Sequence, residues 1–385
     1  MLAPAGARAD DWTIEFFQFW PVSDRTAMAI TARAPRTSPA PEAICRLRRR
    51  LLFGLAASGV MLGMGGRVAQ AQEARYLRIA TGSAAGTYYP VGETIARLLS
   101  HPPGLPPCDP GVACGVPDLV ATAETSEGSV ANVRAVASYA VETALAQADV
   151  IAWAQGGKGD FAEQPLADLR VLASLYAESM HVVVRADSGI AAIRDLKGKR
   201  VSLDRPGSGT RGDALMILAA YGVSPKRLVQ HDLGPSQAAE ALAAGEIDAF
   251  FFLGGAPAVN VAEIAGAGSI ALLPIDGEGR EKLLAAGRYF LPGLIPEGAY
   301  IGVGDTPTVN VGAQWICAAD LGEDIAYDIT RTLFDPANRA VLDAGHPKAR
   351  EITLATAVQG LGAPLHAGAA RFYREQGLTL PTDAI

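Results

Sequence analysis

Residues 200–221 read RVSLDRPGSGTRGDALMILAAY, and this stretch decides the fold. Arg200–Leu203 is short and carries apolar Val201 and Leu203, which predicts a strand. Asp204–Thr210 follows as a polar loop with Gly207 and Gly209. Asp213–Tyr221 then places Leu215, Leu218 and Ala219 at helical spacing. A strand that runs through a short glycine loop into a helix is the repeating unit of layered α/β folds with mostly parallel sheets.

The unit recurs on both sides. Upstream, Tyr76–Thr81 predicts a strand with Leu77 and Ile79 on one face. A glycine-bearing turn, Gly82–Thr87, leads to a helix opening near Pro90, with Val91, Ile95, Leu98 and Leu99 at helical spacing. Leu119–Thr125 reads as a strand, and Gly128-Ser129 opens a helix with Val130, Val133 and Ala137 on one face. Ala144–Ala148 is a strand ending at Gln147 and Asp149, and Val171–Tyr176 and Met180–Arg185 read as two further strands. Downstream, the helix Ser236–Ala244 stops at Gly245, and the apolar strand Ile247–Leu253 runs into Gly254-Gly255. Val309–Cys317 is another apolar strand. A helix follows from about Leu321, with Asp320 and Glu323 spaced as a capping box, and the last helix spans about Pro364 to Gly377.

The chain's 385 residues suffice for two modest domains. Its N-terminal part reads as something other than fold material. A basic cluster (Arg46, Arg48, Arg49, Arg50) precedes the uncharged apolar run Leu51–Met64, and Ala69-Gln70-Ala71 matches a small-x-small cleavage pattern. That order predicts an export signal cleaved after Ala71, too short in its apolar part to span a bilayer. Arg49-Arg50 leaves general and twin-arginine export both open, and Met28 offers a later start. Residues 72–385 carry 24 basic and 35 acidic residues, a net charge of −11, which argues against nucleic acid or an anionic membrane as partner. In an oxidising compartment Cys108 and Cys114, within the Pro/Gly-rich segment His101–Pro117, read as a local disulfide. No metal site is expected there, because no nearby His/Cys pair completes a tetrahedral set. Cys317, between apolar neighbours, reads as an inert buried thiol.

In open α/β sheets ligands bind beyond the carboxyl ends of the strands. Gly82–Tyr89, Thr125–Asn132 and Asp204–Thr210 occupy such positions, and Gly254–Pro257 follows a fourth strand. The first three each join small residues and hydroxyls to a helix start, where free N–H groups and the helix dipole favour an anion. Gly82, Gly86 and Gly209 permit close backbone approach. Ser83, Thr87, Ser129, Ser208 and Thr210 can donate to carboxylate oxygens, and Asn132 and Gln147 can both donate and accept. Tyr88 and Tyr89 can wall a pocket. Singly, each residue has a plain structural role as turn, helix cap or core. Arg205 and Arg211 can be solvated charges or partners of Asp204 and Asp213. The threefold recurrence points to a small anionic ligand. No Walker loop, GxSxG, HExxH or GxGxxG spacing is present, and His101, His181, His231, His346 and His366 are scattered. A binding protein without catalytic residues or cofactor is therefore expected, not an enzyme.

Four motifs in this order resemble the TAXI family of TRAP-transporter solute receptors. Ile79–Pro90 (IATGSAAGTYYP) is similar to the family's opening motif, and Thr125–Asn132 (TSEGSVAN) to its Gly-Ser-Val-x-Asn motif. Ala146–Asp149 resembles its Gln-x-Asp strand end, and Pro206–Thr210 its second-lobe loop. Glu127-Gly128 stands where the family usually has two glycines, and Ser138–Glu142 replaces its usual Ser-Gly-x-x-Asp stretch. The resemblance spans roughly Tyr76 to Phe372. It implies a two-lobed α/β architecture of the type II periplasmic-binding kind, with crossover hinge strands and a central ligand cleft. The first crossover is expected near Met180–Ala186 and the return near Tyr300–Cys317, giving lobe one as 72–180 plus 304–385 and lobe two as 181–303. It further implies a periplasmic monomer that closes on a small carboxylate and docks on the membrane permease subunits of a TRAP transporter. A receptor for an ABC importer is the nearest alternative. An enzyme on the same fold is another, with Cys317 as its one unpaired thiol.

Overall fold

The structure, a computed structural model, describes residues 73–382 except 110, 113, 269, 287 and 288. The expected export signal and its cleavage point lie outside the described residues. The chain alternates as the sequence predicts. In the first half, β1 (Arg75–Ala80) leads to α1 (Tyr88–Leu99), then to two-residue strands β2 (Ser100–His101) and β3 (Val116–Pro117). β4 (Leu119–Glu124), α2 (Ser129–Ala137), β5 (Thr143–Gln147) and α3 (Ala148–Gly156) complete this half. A single 17-residue strand, β6 (Leu169–Arg185), then leaves it. The sequence reading broke this strand in two at Ala177–Ser179, because Glu178 and Ser179 interrupt its apolar pattern. Both are nevertheless buried.

The second half holds β7 (Arg200–Ser202), α4 (Gly209–Ala220), β8 (Val229–His231), α5 (Pro235–Ala243) and β9 (Ala249–Gly254). It continues with α6 (Val259–Ala267), β10 (Ile270–Leu272), α7 (Gly277–Ala286) and β11 (Leu291–Ile295). β12 (Thr306–Ala318) returns to the first half, where α8 (Glu323–Phe334), α9 (Arg339–Ala344) and α10 (Ala367–Glu375) follow. The expected capping box fails: α8 starts after Gly322, which makes no side-chain cap. α4 begins directly after Ser208, four residues earlier than its apolar spacing suggests, and buries Asp213, Ala214, Ile217 and Leu218. Leu215 is exposed instead. The helix has thus turned about one residue from the expected face, carrying a carboxylate inward.

One curled sheet joins the halves in the order β3-β2-β4-β1-β5-β12-β6-β9-β7-β8, with β10 on β6 and β11 on β12. β1 pairs in parallel with β4 and β5, and β7 in parallel with β8 and β9. The crossover strands β6 and β12 run antiparallel to each other and to their other neighbours. The first part of β6 pairs with β12. From Ser179 onward it pairs with β9, so it changes sheet partner at that residue. Three buried apolar clusters match this division. One centres on Trp315, Tyr373 and β1, β4 and β5. The other two lie on opposite faces of β9, one with Phe251 and Leu253, the other with Phe250 and Phe252. β5 and β9 are buried at every residue, as central strands covered on both faces must be. The protein is a two-lobed α/β fold with two crossover strands. No helix among the described residues is long and apolar enough to cross a membrane.

Candidate functional site

β1, β4 and β7 each end in a loop that opens a helix, and these loops meet between the lobes. They wall a cavity of about 380 Å³. The first half of the chain contributes Gly82–Gly86 in part, Thr87, Tyr88, Thr125–Ser129, Gln147 and Glu178; the second half contributes Asp204, Arg205, Ser208–Thr210, Gly234, Pro235, Phe252 and Leu253. α1, α2 and α4 all start at this cavity, and none of their N-cap side chains closes a capping hydrogen bond. N–H groups of three first turns are therefore directed to one place.

Ten of the twelve residues expected to face a ligand line the cavity: Gly82, Ser83, Gly86, Thr87, Tyr88, Ser129, Gln147, Ser208, Gly209 and Thr210. Tyr89 and Asn132 do not. Tyr89 is half-buried and follows Tyr88 on α1, so it turns about 100° away from the lining. Asn132 is fully buried, and its Nδ2 donates to the carbonyls of Thr81 (2.5 Å) and Leu145 (2.7 Å), with Ala80 at 3.4 Å. It ties β1 to β5 beneath the helix start. Asn132→Ala would leave buried carbonyls without a donor and is expected to cost about 2 kcal/mol in denaturant unfolding.

The lobes touch across the cavity. Thr87 Oγ1 accepts from the Gly255 N–H at 2.8 Å, and the Ala131 N–H donates to the Gly207 carbonyl at 3.0 Å. Gly207 sits at φ +93°, a conformation that favours glycine. Arg205 pairs with Glu127 at 3.2 Å and donates to Gln237 at 2.8 Å. Arg211 pairs with Asp232, not with Asp213. Gln147 makes the most buried bridge: its Nε2 donates to Asp213 Oδ2 at 2.6 Å, while its Oε1 accepts from Ser129 Oγ at 3.1 Å.

Behind Gln147 lies a group of acids. Asp213 and Asp149 are fully buried neighbours, and burial pushes both carboxyls up. Burial first, and then the facing Asp149, push the Asp213 carboxyl well above the usual range. Glu178 accepts the Tyr88 hydroxyl at 2.8 Å, and burial raises its pKa to about 8 against the pull of Tyr88 and Lys348. Asp204 is also pushed up by burial, opposed by Ser208 Oγ (2.7 Å) and the Arg205 N–H. Sequence reasoning missed Glu178, Asp204 and Asp213 as site residues. A visible signal existed for Glu178, an acid inside an otherwise apolar strand.

Cys108 and Cys114 are joined, with His101 Nδ1 3.4 Å from Cys114 Sγ. These three donors cluster, yet sulfurs in a disulfide are not thiolate ligands. Cys317 is buried, and burial pushes its thiol upward, which disfavours reactivity.

Among solved structures, the chain resembles the aliphatic sulphonate binding protein SsuA of Escherichia coli at 17% identity and a TM-score of 0.37, covering 78% of this chain and 82% of that one. SsuA of Xanthomonas axonopodis pv. citri, bound to MOPS, matches at 17% identity and a TM-score of 0.39, covering 80% and 92%. MatC of Rhodopseudomonas palustris with bound malate matches at 14% and 0.43, covering 70% and 87%. The sequence itself matches one family over residues 79–377, from the end of β1 to just past α10 and through every loop of the cavity. The chain belongs to the NMT1-like family.

Proposed function

We propose that the chain is an extracytoplasmic solute-binding receptor that captures a small carboxylate or amino-acid-like metabolite by lobe closure and delivers it to a membrane permease. The observation that carries this reading is the cavity walled by both lobes, on which three uncapped helix starts and a set of hydroxyls converge. Lobe one is taken as 72–180 plus 304–385 and lobe two as 181–303, a division supported by the change of partner in β6 at Ser179. Export with cleavage after Ala71 supplies the compartment. The TAXI-like motif set favours a TRAP-type permease. Uptake by cells carrying the receptor and its permease should then collapse with the ion gradient, whereas dependence on ATP alone would assign an ABC importer.

Ligand binding is tested by thermal shift of the mature protein against C3–C6 mono- and dicarboxylates and amino acids. A ligand at a hundred times its Kd should add about 2.7 kcal/mol of stability. Thr210→Ala should weaken the shift, because Thr210 lines the cavity while its hydroxyl meets the Leu253 N–H at 3.3 Å. Absence of a shift with every acid would overturn this reading.

A further inference from the structure

The charges around the cavity do not suit a simple anion. Among the described residues that line it, Glu127, Glu178 and Asp204 are acidic and Arg205 is the one cation. Arg205 is engaged by Glu127 and Gln237. Asp204 is engaged by Ser208 and by the Arg205 N–H. Glu178 differs. It is 3% exposed, lines the cavity, and accepts Tyr88 on Oε2, while Oε1 has no hydrogen-bond partner among the described residues.

We propose that the ligand carries a cationic nitrogen that lies against Glu178 Oε1, while its carboxylate is held at the starts of α1, α2 and α4. The protein then selects an ammonium-bearing acid over the corresponding oxo or unsubstituted acid. This rests on the reading of the cavity as the ligand site. The groups facing Glu178 agree with it. Tyr88 from α1 donates to it, as a carboxylate prefers. Asp149 from α3 adds negative potential behind it, while Asp213 from α4 is pushed toward its neutral form by burial. Tyr176 on its own strand is neutral. Lys348, from the turn at Pro347–Glu351, is the one cation that acts on Glu178, and it is itself ion-paired with Glu351 at 2.7 Å. The free carboxyl oxygen of Glu178 at this wall complements a cation, whereas the helix starts complement an anion, and a zwitterion satisfies both. Burial holds a proton on Glu178 up to about pH 8. Near pH 7 an arriving ammonium group therefore displaces that proton to the buffer and leaves an ammonium–carboxylate pair.

The test uses matched pairs: L-amino acids of three to six carbons against their 2-oxo counterparts. Thermal shift ranks them, and titration calorimetry of the best pair follows in phosphate and in Tris at pH 7. The amino member should bind at least tenfold tighter, release close to one proton, and gain affinity between pH 6 and pH 8. Glu178→Gln keeps an acceptor for Tyr88 and should reduce the preference to within twofold and abolish proton release. Tighter binding of the oxo acid, or affinity that falls as pH rises, overturns the ammonium subsite and leaves the receptor reading intact. No binding by either member of any pair overturns both.

Discussion

Gly209→Ala is expected to weaken ligand binding about 100-fold, roughly 2.7 kcal/mol, while the two lobes remain folded. A Cβ at residue 209 would land on the carboxamide of Gln147, against its Oε1 and Cδ. That carboxamide is not free to swing: Ser129 holds one end and Asp213 the other, and the residue is 4% exposed. Gly209 begins α4 in lobe two, and Gln147 ends β5 in lobe one. The clash therefore falls across the lobe interface and is relieved by separating the lobes. Alanine in a first helical turn is intrinsically favourable, so helix propensity offers no competing cause for the loss. Small-angle scattering of the variant with the best ligand should show no compaction. Wild-type affinity in Gly209→Ala would show that closure does not pass through the Gln147 bridge.

The second large effect is on stability against pH. Glu178 keeps its proton to about pH 8 when folded, against an ordinary 4.5. A carboxyl raised on folding stabilises fully below its unfolded pKa, and that contribution is lost as pH climbs toward the folded value. The interval corresponds to of order 5 kcal/mol at 1.36 kcal/mol per pH unit. Glu178→Gln removes this dependence. The difference in Tm between variant and wild type should be small at pH 4.5 and grow in the variant's favour by roughly 8 °C at pH 8.5. Taking the difference cancels groups that act in the opposite sense. These include His181, whose imidazole burial lowers to about 4, and Glu142 and Asp248, lowered by their arginine partners. A difference that stays flat from pH 5 to pH 8 would falsify the protonated state of Glu178.

Much of the architecture is legible from residue order. Alternating strand and helix patterns with glycine loops between them place β1, β4, β7 and β9 within two residues of their observed limits. The three hydroxyl-bearing loops do converge. What escaped has a common physical origin, since local pattern does not report what a neighbour across the lobe interface supplies. Glu178 and Ser179 look like a strand break until β12 and β9 are seen to pair on either side of them. Asp213 looks like the polar side of α4, and it is buried because Gln147 and Asp149 arrive from the other lobe. Asn132 has the chemistry of a ligand group, yet three backbone carbonyls already use its amide. The capping box at α8 met the spacing rule, but the helix starts after Gly322.

The place of β12 in the sheet has a consequence for how the chain is made. This strand lies between β5 and β6, yet it is synthesised more than 120 residues after either. The sheet of lobe one thus stays divided while all of lobe two emerges, and its contacts are long-range, which slows folding. A late-closing sheet keeps the nascent chain unfinished for most of its synthesis. A chain truncated before Thr306 should contain every residue that lines the cavity and form no cavity at all.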